Sequence, residues 1–295
     1  MTDLIDSLAS ISDRYDAVFC DLWGCLHNGK TAFPAAVEAL RAFKARGGTV
    51  LLLTNSPRPK SSVAAQLLGM NVPADCWHDI VSSGDAAQYA LFSGAVGTRV
   101  HHIGAPKDLT FFSDISPDLA PLAARTNITR VPLAEAEGVV CTGLADDLTE
   151  TPDDYRATLL AMKANGLPML CANPDLIVDL GDRRLYCAGA LAAAYEQMGG
   201  TALYFGKPHP PIYDLARRRL ALLNDSPDPR ILCIGDGVNT DVQGGLSEGL
   251  DTLFVTGGIA ADEFGPDAAS PDPALLAAWL GAKQQYSTFA IPFLR

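Results

Sequence analysis

This chain of 295 residues contains no CxxC pair. Its cysteines, Cys20, Cys25, Cys76, Cys141, Cys171, Cys187 and Cys233, are odd in number and scattered, which argues against a disulfide framework or a cysteine zinc site. Several lie inside apolar runs such as VVC, MLC and ILC, where they read as small buried hydrophobes in a reducing compartment. No apolar run approaches membrane-spanning length. The first stretch, MTDLIDSLASISDRYD, lacks the basic start and apolar core of a signal peptide, so the expected location is the cytoplasm. Positive charge is also scarce. Against 34 Asp and Glu there are 22 Lys and Arg, a net charge of −12, with no block of like charges. Such a surface repels a phosphate backbone, so nucleic acid is not an expected partner, and without a run of spanning length neither is a membrane. An anionic substrate would need local cations or a metal ion.

The chain does hold alternating apolar, β-branched runs and helical patterns. Strands are expected at Ala17–Leu22, Thr49–Thr54, Ile80–Ser82, Arg99–Ile103, Gly138–Cys141, Pro168–Cys171, Leu203–Phe205, Ile231–Ile234 and Thr252–Val255. Between the first two, PAAVEALRAFKARGG has helical apolar spacing, with Pro34 at its start and Gly47-Gly48 at its end. Strand, helix, strand in so short a span is a βαβ unit and implies a parallel sheet. The fold class is α/β, a Rossmann-like parallel-sheet core carrying an inserted α/β cap. The core is expected over residues 1–82 and 201–295, and the cap over 83–200, set above the strand ends.

Four segments carry chemistry. Asp21 ends an apolar strand and precedes Gly24 in DLWGCLHNG; Thr54-Asn55-Ser56 follows LLL; Gly206-Lys207-Pro208 follows a short strand; and GDGVNTD, with Asp236 and Asp241, follows ILCI. In open α/β sheets ligands bind beyond the carboxyl ends of strands, and ends from distant parts of the chain meet only where their strands are neighbours. A carboxylate nucleophile, hydroxyl and amide donors, a cation and a carboxylate pair are the parts that phosphoryl transfer needs.

These four segments, in this order and approximate spacing, resemble the motifs of the haloacid dehalogenase superfamily. The insertion, together with CANPD and CAGALAAA, is similar to the class IIA group of nitrophenyl-phosphate and sugar-phosphate phosphatases. The resemblance runs from about Ala17 to Gly258. It implies a Mg²⁺-dependent phosphatase acting on a small phosphate ester through an aspartyl-phosphate. It implies that Asp21 is the nucleophile and a metal ligand, and that the Trp23 carbonyl, Asp236 and Asp241 complete the metal's protein ligands, Asp241 directly or through water. Thr54, Asn55 and Lys207 would hold the phosphoryl group, and a cap loop at Asn173-Pro174-Asp175 would face the substrate.

One position departs from the pattern. The residue two after the nucleophile is usually an aspartate that protonates the leaving oxygen, and here it is Trp23. An indole N–H does not titrate. The alternative reading is therefore a catalytically weak phosphate-ligand-binding or regulatory protein on the same scaffold. His27, on the same loop, is the nearest other proton carrier, although it reads better as a packed loop residue. Cys76, Trp77 and His78 read as packing, and His101-His102 as strand residues rather than metal ligands. The tail YSTFAIPFLR is apolar enough to dock on the core or to join two copies in a homodimer.

Overall fold

The computed structural model describes residues 2–180 and 183–295. Its strands, in chain order, are β1 (Asp3–Leu4), β2 (Ala17–Cys20), β3 (Thr49–Thr54), β4 (Asp79–Ser82), β5 (Arg99–Ile103), β6 (Thr129–Arg130), β7 (Gly138–Cys141), β8 (Met169–Cys171), β9 (Ile177–Leu180), β10 (Arg183–Tyr186), β11 (Ala202–Tyr204), β12 (Ile231–Gly235), β13 (Asp251–Val255) and β14 (Phe289–Ile291). The helices that matter below are α1 (Pro34–Ala45), α2 (Lys60–Gly69) and α3 (Ser83–Phe92).

The chain divides into two compact units. The first comprises residues 1–54, 66–81 and 213–295, and the second residues 55–65 and 82–212. The observed division differs from the expected one at both margins. The segment after β3 and the segment from 201 to 212 belong with the inserted part. The reason is local: β11 pairs with β8 in the second unit's sheet, and Asn55 is hydrogen-bonded to the backbone of Lys207.

The first unit is built on a seven-stranded sheet in the order β1-β14-β13-β12-β2-β3-β4. The central strands β2, β3 and β12 are buried along their whole length, as expected of parallel strands covered on both faces. Their register is parallel, with Cys20 opposite both Ile234 and Leu52. β2 leads to β3 on one side, and β12 returns on the other. The chain thus reverses direction across the sheet at β2, the kind of switch point at which open α/β sheets bind ligands. Helix α1 starts with Pro34 at its first turn and buries Ala36, Val37, Leu40 and Phe43 on one face. It ends where Gly47 takes a φ of +94°, a conformation that glycine adopts without steric cost. The tail docks on its own unit: β14 pairs in parallel with β13 and β1, and the carbonyl of Arg295 accepts from the Leu8 N–H.

The second unit has a five-stranded sheet in the order β11-β8-β7-β5-β6 and an antiparallel β9–β10 hairpin. Its core packs Val139, Cys141, Met169 and Cys171 with Leu159, Met162, Leu191 and Tyr195. Among the described residues no helix is long and apolar enough to cross a membrane.

Candidate active site

In the first unit three strand ends carry polar residues side by side. Asp21 follows β2 and continues its ladder through a 2.8 Å bond from its N–H to the Ile234 carbonyl. Asp236 follows β12, and Thr54 closes β3. Adjacent strands therefore deliver Asp21 and Asp236 to one place. Their carboxylate oxygens and the Cys25 sulfur lie within 4.8 Å of one another.

Glycines make that approach sterically feasible. A Cβ on Gly24 would stand 2.0 Å from Asp236 Oδ2, and one on Gly258 would stand 2.1 Å from the same oxygen. Real side chains do not approach so closely, so both positions exclude any larger residue while Asp236 holds this rotamer. Gly24 also has a φ of +75°. Asp236 is fixed by the Ile259 N–H, which donates to Oδ2 at 2.9 Å. Two carboxylates brought this near each other repel, and a cation between them removes the cost. The oxygen donor set suits a hard divalent ion. The turn after β2 also bears on the Trp23 carbonyl: the N–H groups of Leu26 and His27 bond to Leu22, that of Gly24 bonds to His27, and none of these uses Trp23.

Asp241 lies outside the three-donor group. It sits in a wide helical turn, Val238–Val242, and its Oδ2 accepts from the Gly237 N–H at 3.1 Å and the Thr240 hydroxyl at 3.2 Å. A Cβ on Gly235 would stand 2.0 Å from its carboxyl carbon. In this arrangement Asp241 braces the loop that carries Asp236.

The side chain of Trp23 lies over its own loop. A Cβ on Gly29 would stand 2.4 Å from the indole, and the His27 ring meets the indole edge-on with centroids 5.6 Å apart. His27 is buried, and its Nδ1 accepts the Gly29 N–H at 3.0 Å, which leaves Nε2 as the protonated nitrogen. Burial pulls its pKa down to about 4, so the ring is neutral at pH 7. His27 is therefore a packed loop residue.

Cys25 is the residue whose role the sequence did not disclose. Its thiol is buried, and burial, followed by the charges of Asp236 and Asp21, pushes its pKa well above the ordinary range. The available signal was its place four residues after Asp21, inside a turn that folds back on itself.

The second unit carries the other expected residues. The Asn55 side chain is engaged on both sides: Oδ1 accepts the Lys207 N–H at 2.7 Å, while Nδ2 donates to the Lys207 carbonyl at 3.0 Å and to Asp175 Oδ1 at 2.8 Å. Its amide thus fixes the backbone of Lys207, whose side chain is buried, and ties it to the Asn173–Asp175 loop. That loop is a turn in which Asn173 Oδ1 accepts the Asp175 N–H at 3.0 Å. Gly206 permits the convergence, because a Cβ there would stand 2.5 Å from Asn55 Oδ1 and 2.7 Å from both Pro174 and the Ser83 hydroxyl. Arg58 is paired with Asp108 at 3.3 Å. His101 and His102 are bonded to the Val131 carbonyl and the Thr142 hydroxyl, and His78 accepts the Val50 N–H.

Comparison with known proteins identifies the family. Residues 18–115 match the family model described as haloacid dehalogenase-like hydrolase, and residues 204–278 match a second model of the same kind. A crystal structure of a haloacid dehalogenase-like hydrolase from Brucella suis is 39% identical, with a TM-score of 0.84 over 99% of this chain and 100% of that one. The 5′-nucleotidase YutF of Bacillus subtilis is 25% identical over 84% of this chain and 90% of its own length. A glycerol phosphate phosphatase from Mycobacterium tuberculosis, solved in complex with calcium, is 25% identical, with a TM-score of 0.60 over 84% of this chain and 68% of that one.

Proposed function

We propose, since this chain belongs to the haloacid dehalogenase-like hydrolases, that it is a divalent-metal-dependent phosphatase of small phosphate esters, sugar phosphates or similar, with Mg²⁺ as the metal. The observation that carries this reading is the meeting of Asp21 and Asp236 at the ends of neighbouring parallel strands, in a cradle that only glycines permit. The phosphatase names of the relatives support the same substrate class.

On this reading one Asp21 oxygen attacks phosphorus, the ester oxygen departs, and water then cleaves the aspartyl-phosphate to release inorganic phosphate. Bound between Asp21, Asp236 and the Trp23 carbonyl, Mg²⁺ would supply charge neutralisation for the anionic phosphoryl group. Asp241 keeps the Asp236 loop in shape and is available through a water. Thr54 and Lys207 are assigned the phosphoryl oxygens, with the backbone of Lys207 held by Asn55. Asn173 and Asp175 are assigned to the substrate-facing loop, and Asp175 also anchors Asn55.

The proton step lacks a dedicated residue. Trp23 cannot titrate, and His27 is neutral, buried and committed to Gly29. Esters with acidic leaving groups are therefore the expected good substrates, since those leave unprotonated. The same observation favours the second reading, a protein that binds phosphate ligands and turns them over weakly. Turnover of a phosphate-ester panel with Mg²⁺, by wild type and Asp21→Asn, separates the two. Hydrolysis that disappears in Asp21→Asn supports the phosphatase. Saturable binding without any Asp21-dependent hydrolysis supports the alternative.

A further inference from the structure

The carboxylate pair has a third neighbour that a Mg²⁺ site does not need. Cys25 Sγ lies within 4.8 Å of the carboxylate oxygens of both Asp21 and Asp236, and its side chain is buried against them. Mg²⁺ takes oxygen ligands at about 2.0–2.1 Å and keeps water in its remaining positions. It has no use for sulfur. Zn²⁺ and ions like it bind thiolate at about 2.3 Å and carboxylate at about 2.0–2.2 Å, in four-coordinate sites. Ligand atoms around such an ion stand roughly 3.3–4 Å apart, by the same bond lengths. The three donors need only a small inward movement to meet that spacing, and a water completes the four.

We propose that Cys25 makes this carboxylate pair a site for thiophilic divalent cations, which bind through Asp21, Asp236 and the Cys25 sulfur and exclude Mg²⁺ from the same place. The thiol proton passes to solvent when the ion binds. The inference rests on the metal site of the proposed function and assigns that site a selectivity. Cys20, next in line, donates its thiol to the Asp21 carbonyl at 3.2 Å and stands outside the three-donor group.

The test uses the full chain, freed of metal, with Cd²⁺ and Co²⁺ as probes and no substrate present. Wild type should show the sulfur-to-metal charge-transfer band on titration, and Asp21→Asn and Asp236→Asn should each weaken Cd²⁺ binding. Cys25→Val and Cys25→Ser, checked for fold by circular dichroism, should lose the band. Their Cd²⁺ affinity should fall by at least about tenfold, the lower bound seen when even an outer partner of a metal ligand is removed. Two variants are used because either side chain alone could disturb the turn. Cd²⁺ bound without a charge-transfer band in wild type, or a band of undiminished strength in both folded variants, overturns the part given to Cys25. Cd²⁺ binding of undiminished strength in both Asp21→Asn and Asp236→Asn overturns the shared site, and with it the metal reading of Asp21 and Asp236.

Discussion

Replacing Trp23 by aspartate tests the division of labour in this site most directly. The proposed nucleophile and metal carboxylates come from strand ends whose register does not depend on Trp23, so the substitution leaves the strands that carry them in place. It puts a titratable group two residues after Asp21. A positioned general acid and base contributes ~10²–10⁴-fold, and that is the range of the expected gain on an alkyl phosphate whose alkoxide leaves poorly. On nitrophenyl phosphate the gain should be smaller, because the phenolate departs without a proton. The cost is structural. The indole is half-buried against Gly29 and meets His27 edge-on, and such ring pairs contribute about 0.5–1.5 kcal/mol beyond their buried area. With the lost area, ~2–3 kcal/mol of local stability is at stake. In a chain of 295 residues that corresponds to a fall in Tm of roughly 3–5 °C. The assay is steady-state turnover of both esters at 25 °C, with Trp23→Asn as the partner variant, which removes the indole without adding an acid. A new ionisation in the pH profile of Trp23→Asp, absent from Trp23→Asn, would identify the carboxyl as the source of the gain. If the folded, metal-binding Trp23→Asp protein is no faster than wild type on either ester, the proton step is not what the wild-type site lacks.

Three further outcomes follow from the geometry. Gly258→Ala puts a methyl group 2.1 Å from Asp236 Oδ2 and should lower divalent-metal affinity at least about tenfold with an unchanged circular dichroism spectrum; metal binding at wild-type strength would show that the cradle is not tight. Asn55→Ala leaves the N–H and carbonyl of Lys207 without that partner, at about 1–3 kcal/mol per buried group, and should reduce kcat more than it raises KM; an unchanged kcat would remove Asn55 from the positioning of Lys207. His27 is held at about 4 in the fold against an ordinary 6.5, so only the unfolded chain takes up its proton between those values, and stability should be full above about pH 6.5 and fall as pH drops towards 4. The two values differ by enough for up to ~3 kcal/mol at the acid end. His27→Asn, which keeps an acceptor for the Gly29 N–H, should flatten that decline in Tm. An equally steep decline in the variant would place the titration elsewhere, with His102, also drawn down by burial, the first candidate.

Parallel strands of four to six residues were legible where their apolar runs are bounded by turn residues. Arg99–Ile103, Gly138–Cys141 and Thr49–Thr54 have the ends the sequence implies. Short strands carry no such pattern. β1 and β6 have two residues each, and the β9–β10 hairpin alternates too weakly to stand out from a polar loop. The tail shows the limit more clearly. Its apolar character implied docking, yet whether its partner was this chain or a second copy depended on a vacant edge beside β13 that only the folded sheet reveals. The unit boundaries failed for a related reason. Asn55 follows β3 without a break in the sequence, but its side chain is bonded to residues more than a hundred positions away.

The site shows the same contrast between what a motif implies and what packing adds. Motif order implied that Asp21 and Asp236 would be neighbours, because residues at the ends of adjacent parallel strands have little choice. It did not imply the environment that decides what each can do. Cys25, to which the motif gave no role, is buried with its sulfur within 4.8 Å of both carboxylates. Trp23, read as an absence of acid, also packs over Gly29 and meets the His27 ring edge-on, while His27 is buried and accepts the Gly29 N–H. Position 23 thus lacks the acid, and the histidine beside it is neutral and committed to Gly29. Putting an acid there therefore has to be judged by the pH profile as well as by rate, because a carboxyl near Asp21 and Asp236 brings a titration of its own and shifts theirs.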